Sequence, residues 1–408
     1  METLPNQLSP MKTGKDLLSE MTVLPKQDPD IRLQPSTVRL MALSDLYDIY
    51  LPSSMSVEIY NKLYLALLRS LQKKEGPIAQ IQRNENHKRI TQRENNCVLG
   101  GADSFTIIGT SGIGKSTAIN RAIDLITEQG LIENSHTKII PCLVVQCPHD
   151  CSTKGLLLEI LRKADTFLNS DYYTKALRNR VTTDMLIGSV AQISINHIGL
   201  LIVDEIQNVV GNKNGKALVA MLTQLINSSG ISIAMVGTPE CTVFFDQAMQ
   251  LARRALGLYY SAVEYDQFFY DFCATLFQYQ YTQHKTEITD AIVQWLYDHT
   301  GGIISIVVSL LHDSQEIAIL NGTESLNLDS LNDAYKKRLT MLHHYINPPT
   351  AKSKSPPRKK PAEPSIPTNN TETDTNETIV NLSLTAKNQN IDIICLLKEH
   401  FAVEVIRI

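Results

Sequence analysis

The stretch "GTSGIGKSTAIN", residues 109–120, decides the fold. It fits G-x-x-x-x-G-K-[ST], with Gly109, Gly114, Lys115 and Ser116 on the fixed positions. Glycines let the backbone wrap closely enough for its N–H groups to point at phosphate oxygens. A helix starting at Lys115 offers its positive dipole end to the same anion. The whole cradle is Gly109, Thr110, Ser111, Gly112, Ile113, Gly114, Lys115, Ser116 and Thr117. Lys115 is expected to reach the β- and γ-phosphates of ATP, and Ser116 to ligate Mg²⁺. The context fits too. The β-branched run "SFTIIGT" feeds the turn, and "GKSTAINRAIDLITEQG" leaves it as a helix ended by Gly130.

Downstream, strands and helices alternate. "TKIIPCLVVQC", "IGLLIVDEI" and "ISIAMVGT" are apolar without period-two alternation, as strands buried on both faces are. "TKGLLLEILRKADTFL", "DMLIGSVAQISINH" and "GKALVAMLTQLINSSG" are helices between them. The prediction is an α/β domain with a parallel sheet over residues 56–255, opened by a helix with Ile59, Leu63, Leu67 and Leu71 on one face. After Ala255 only helical patterns are read, so residues 256–346 are predicted to be a small all-helical domain.

Residues 1–55 show little periodicity and several prolines. They are read as a loosely ordered or partner-binding segment, with an apolar stretch, residues 38–52, able to dock on a partner or on the core. Residues 347–378, rich in Pro, Lys and Thr, are predicted to be a disordered linker, and residues 379–408 a docking segment.

Four elements carry chemistry. The cradle is the first. In "LLIVDEIQNV", Asp204 and Glu205 end a buried strand, where adjacent carboxylates need a cation or water network. Asp204 suits the Mg²⁺ shell and Glu205 suits polarising the attacking water. Gln207, just beyond, is a candidate for a supporting contact to that pair. Thr238 ends the next strand, either touching the γ-phosphate or the lytic water, or capping the turn before Pro239. Arg253 and Arg254 are either arginines offered across a subunit interface or a surface basic pair. Lys154, Arg178, Arg180, Lys213 and Lys216 are basic groups that could meet nucleic-acid phosphates or simply face solvent. Cys142, Cys147, His149 and Cys151 lie close in sequence but lack C-x₂-C spacing, and are read as small buried thiols.

The bulk numbers limit the rest. With 408 residues and a formal net charge of -4, the chain is not a general basic nucleic-acid binder. Its seven cysteines and an N-terminus without an apolar signal core point to a cytoplasmic protein with reduced thiols. No apolar run is long enough to span a bilayer, so no membrane partner is expected.

Together these elements resemble the AAA+ ATPases, and more closely the TnsC family of transposon ATPase regulators, relatives of TniB. The resemblance includes "IIGTSGIGKSTAINRAI", "LVVQCPHDCSTKGLLLEIL", "SINHIGLLIVDEIQNV", "MVGTPECTVFFDQAMQLARRA" and "HTGGIISIVVSLLHDSQEIAI". It implies an ATPase with Mg²⁺ that assembles as a ring or helical filament on duplex DNA. It also implies partners: a target selector of TniQ/TnsD type and the transposase, with hydrolysis taking the assembly apart. Glu205, Lys115 and Thr238 become catalytic, and Arg253 and Arg254 a trans pair. The chain departs from many AAA+ proteins in one place. Near Ser305, where those carry a lid arginine, there is none. An origin-recognition or helicase-loader ATPase is the other reading within the class.

Overall fold

The computed structural model describes residues 4–75, 104–128, 130–133, 138–178, 181–242 and 257–339. The strands are β1 (Phe105–Gly109), β2 (Ile132–Glu133), β3 (Lys138–Gln146), β4 (Ile198–Asp204), β5 (Ser232–Gly237) and β6 (Leu258–Tyr260). The helices are α1 (Gly14–Met21), α2 (Ser36–Ala42), α3 (Asp45–Asp48), α4 (Ser54–Glu75), α5 (Lys115–Ile126), α6 (Thr153–Leu168) and α7 (Tyr172–Arg178). They continue with α8 (Thr183–His197), α9 (Gly215–Ser229), α10 (Gln267–Gln278), α11 (Asp290–Thr300), α12 (Ile304–Asn321) and α13 (Leu328–Arg338).

The sheet runs β2-β3-β4-β5-β1-β6. All pairings are parallel except β2 with β3. Alternate residues along each strand feed opposite layers, which is why the strands read as apolar throughout. Leu201 and Val203 of β4 join α6, α8 and α9 in one cluster. Leu200 and Ile202 join α4 and α5 in the other, with Ile59, Leu63, Leu67 and Leu71 as its α4 face. Helices α10 to α13 form a third cluster around Phe269, Val307 and Leu311. Among the described residues no single helix is long and apolar enough to cross a membrane.

Two expectations are corrected. Strands do not stop at Ala255: β6 pairs with β1, Ile107 opposite Leu258. Three residues are too short to show a period, and the middle one, Tyr259, is exposed. The second correction concerns residues 1–55. Residues 4–52 are neither extended nor loose, because their apolar groups are divided between two bodies. Leu4, Leu8, Leu17 and Met21 pack with α4 and α5. Ile31, Leu43, Leu46 and Ile49 pack with the helical domain. The division hides the periodicity, since each body takes only a few residues.

The second half of this strap is tied down by polar contacts. Arg39, 2% exposed, makes a two-pronged pair with Glu324 at 2.6 and 2.7 Å. It also donates to the carbonyls of Gln34 and Tyr281. The Arg39 hydrogen bonds hold the Glu324 carboxyl below the usual carboxylate range, against the opposing effect of burial. Tyr281 donates to Asp45 at 3.0 Å and Tyr279 to the Pro25 carbonyl at 3.0 Å. The predicted linker and docking segment, residues 347–408, lie outside the described residues.

Candidate functional site

Because β1, β5 and β4 are parallel neighbours, their C-terminal ends share one edge. Gly109, Asp204 and Gly237 close those strands. This is where open parallel sheets bind ligands. The cradle leaves β1 there and enters α5 through Gly114 at φ +93°. Gly112, at φ +81°, is the other residue that the turn keeps in left-handed geometry. Ile113 is buried and anchors the loop from below.

Lys115 lies almost buried with its ammonium turned into the loop. It donates to the carbonyls of Gly109 at 2.6 Å and Thr110 at 2.8 Å. Burial lowers its pKa, while Asp204, Glu205 and Glu240 pull it back up. The net result is a cation held at the centre of the cradle among acids.

Ser116 Oγ donates to Asp204 Oδ2 at 2.9 Å. The residues fit Mg²⁺. Two neighbouring ligands of an octahedral Mg²⁺ with bonds of about 2.0–2.1 Å stand about 2.9 Å apart. Both donors are hard oxygens, the set that Mg²⁺ takes.

Glu205 is the first residue after β4 and has φ +59°. A non-glycine residue in that region carries strain of order 1–2 kcal/mol, which proteins keep at functional sites. The kink lets Ile206 and Val209 stay buried while the Glu205 side chain remains exposed at the cleft. Its backbone N–H donates to Asp204 Oδ1 at 2.8 Å, and its carboxylate accepts from the Gln207 amide.

Thr238 lines the same cleft. The Glu240 carboxyl beside it is held below its ordinary pKa, first by the Thr238 hydroxyl. Thr238 occupies the N-cap position of the short turn Pro239–Cys241, without a side-chain capping bond. Glu240 was not singled out in the sequence. An acid two residues past a strand end carries no motif.

The cleft holds about 820 Å³. The cradle and the acidic turn form one wall. The strap from Tyr47 to Ser56, the loop after β6 and the start of α12 form the others. These walls were missed because they come together from distant parts of the chain. Ser305, at the arginine-free lid position, donates its backbone N–H to the Gly112 carbonyl at 3.0 Å. A Cβ on Gly112 would lie 2.3 Å from Ser305 Oγ. The lid therefore touches the phosphate loop through backbone.

Other predicted residues are placed as follows. Lys154 opens α6, and Lys213 and Lys216 flank the start of α9. All three are exposed. Their loops are laced together: Asn212 Nδ2 donates to the His149 carbonyl at 3.1 Å and Asn214 Nδ2 to that of Asp150 at 3.0 Å. Arg178 is not with them; it ends α7, which follows the far end of α6. Arg180, Arg253 and Arg254 lie outside the described residues. Cys142, Cys147 and Cys151 are buried, and burial pushes the first two thiols up to about 12. They serve as small apolar groups, not as thiolate ligands.

Sheet order, cradle, acidic strand end and helical lid define a P-loop nucleotide-binding domain of the AAA+ type. Residues 98–258 match the family model described as "Bacterial TniB protein". That segment runs from just ahead of β1 to the first residue of β6 and holds every element of the phosphate corner. No curated protein matches the chain. Among solved structures it is similar to the Aeropyrum pernix ORC1 protein in complex with DNA, at 14% identity, covering 62% of this chain and 63% of that one, with a TM-score of 0.40. It is similar to the Aeropyrum pernix ORC2 protein at 15% identity, covering 64% and 66%, with a TM-score of 0.39. The Drosophila ORC bound to DNA gives 11% identity, 99% and 86% coverage, and a TM-score of 0.45. The match spans less than two thirds of each Aeropyrum chain. Likenesses at this level define neither substrate nor partner.

Proposed function

We propose that this protein is an ATP-hydrolysing regulator of DNA transposition. ATP-bound subunits assemble on duplex DNA as a ring or helical filament and bridge a target selector of TniQ/TnsD type to the transposase. Hydrolysis releases the assembly. One observation carries the reading: a complete phosphate corner, under a lid that touches it, lies within a segment of TniB type.

The residues divide the work. The cradle N–H groups and Lys115 bind the β- and γ-phosphates. Ser116 and Asp204 would hold Mg²⁺, which when bound neutralises charge between those phosphates. Glu205 accepts a proton from the attacking water, and Thr238 lies at the next strand end to orient it. Arg253 and Arg254 are proposed to complete a neighbour's site. ATP closes the lid onto the loop through Ser305 and Gly112, and loss of the γ-phosphate relaxes that contact.

DNA is proposed to meet Lys154, Lys213 and Lys216 on their laced loops. A chain of formal charge -4 can still grip DNA, because each subunit of an assembly adds a few phosphate contacts. The cytoplasm, where DNA and ATP meet, is the proposed location.

The test is light scattering with duplex DNA, with and without ATP, at several salt concentrations. Large DNA-bound assemblies that require ATP are expected. Replacing Lys154 should weaken binding on all sequences and flatten the salt slope by about one unit per subunit contact. A protein that stays monomeric in every condition would remove this reading.

A further inference from the structure

We propose that Gln207 is the positioning residue for Glu205: its side-chain amide fixes the general base in the orientation that hydrolysis needs. This rests on the hydrolytic reading above and adds to it a residue that the phosphate-binding motif does not contain.

The turn that carries both residues is rigid. Ile206 is fully buried and Val209 is 1% exposed. The Asn208 backbone N–H donates to the Glu205 carbonyl at 3.1 Å, and Asn208 Nδ2 to the Cys147 carbonyl at 2.9 Å. Glu205 itself is exposed at the mouth of the cleft. A glutamate on a rotatable stem there samples many rotamers, and a general base must hold one of them. The backbone fixes where the stem begins, and the Gln207 amide fixes where it ends, by donating Nε2–H to Glu205 Oε2.

The other end of the amide shows that this contact orients the glutamine. Gln207 Oε1 is buried without a partner. Buried acceptors are almost always satisfied, and one left open needs a reason. Turning the amide over would bury an equally unpartnered NH₂ and lose the bond to Glu205, so the carboxylate decides the orientation. The slot that takes the amide is cut to size at Gly237, the end of β5. A Cβ there would stand 3.1 Å from Gln207 Oε1, 2.7 Å from Ile206 Cγ2 and 2.9 Å from Cys241 Sγ. Gln207 thus lies between the base and the strand end that leads into Thr238.

The test uses the full chain and steady-state ATP turnover, binding of a non-hydrolysable ATP analogue, and thermal unfolding. Gln207→Glu keeps the shape and removes the donor; Gln207→Ala removes both. Each is expected to lower kcat by at least about tenfold, the scale on which general-base placement acts. Analogue affinity should stay within about twofold, because the groups that bind phosphate are untouched. A residue acting only through Glu205 has nothing further to lose once that carboxylate is gone. In the Glu205→Gln background, single-turnover rates should therefore change by less than about twofold on adding Gln207→Ala. Wild-type kcat in Gln207→Glu would overturn the proposal, as would a full multiplicative loss in the double variant. If Gln207→Ala fails to fold, the shape-preserving Gln207→Glu still decides. A wild-type protein that binds the analogue but never turns ATP over would instead overturn the hydrolytic reading, and this inference with it.

Discussion

The phosphate corner and the N-terminal strap meet at one cleft and are built in opposite ways. The corner is made of short local pieces: a loop between β1 and α5, a turn after β4, a threonine after β5. Each piece carries its chemistry within a few residues. The strap gives one set of apolar groups to the sheet layer and another to the helical domain, and lines the cleft between Tyr47 and Ser56. Its contacts reach across the chain, Arg39 to Glu324 above all. On the proposed reading the corner performs the chemistry, and the strap fixes the frame in which the lid meets it.

If that division holds, damage to the corner should abolish binding or turnover with little loss of stability, and damage to the strap should do the reverse. The largest effect on turnover is expected from Glu205→Gln: kcat falls about 10²–10⁴-fold while nucleotide affinity is kept, as phosphate release and equilibrium binding will show. The largest effect on stability is expected from Glu324→Ala. It leaves the Arg39 charge buried without its carboxylate, at a cost of about 3–5 kcal/mol in denaturant unfolding. If that variant also loses its catalytic rate in the folded state, the strap is part of the corner and the comparison breaks.

The same pair has a pH signature. The Glu324 pKa is depressed in the folded protein, so its contribution is fully present above the unfolded value, about 4.3, and is lost as pH falls through the folded value. The stability gap between wild type and Glu324→Gln should be flat from neutral pH to about 5 and shrink below about 4. Gly112→Ala should disrupt the contact between lid and loop. Its Cβ would meet Ser305 Oγ in a left-handed backbone, a strain of about 1–2 kcal/mol, so nucleotide affinity should fall about tenfold. Tyr47→Ala removes a ring that stands 5.0 Å from His312 on α12 and lines the cleft. It should raise KM by no more than about threefold, the scale of a single aromatic contact.

The two regions also differ in how far the sequence disclosed them. The meeting of Lys115, Ser116 and Asp204 at one sheet edge was legible because the G-x-x-x-x-G-K-[ST] loop and the acidic strand end fix residue type and spacing within each strand-to-helix unit. The parallel sheet was legible because strands buried on both faces lose their alternation. β6 was not, because three residues, none of them fully buried, are too few to carry a pattern. The strap was not, because a segment divided between two bodies shows the periodicity of neither. Gln207 was visible only as a neighbour of the acidic pair. Its bond to Glu205 depends on the left-handed backbone at Glu205, a geometry that no motif states.

The most direct measurement follows light scattering and phosphate release together after ATP is added to the protein on duplex DNA. Wild type should assemble and then fall apart as phosphate appears. Glu205→Gln should assemble to the same size and persist. Decay at the same rate in both, or assembly that ignores ATP, would contradict a switch that ATP closes and hydrolysis opens.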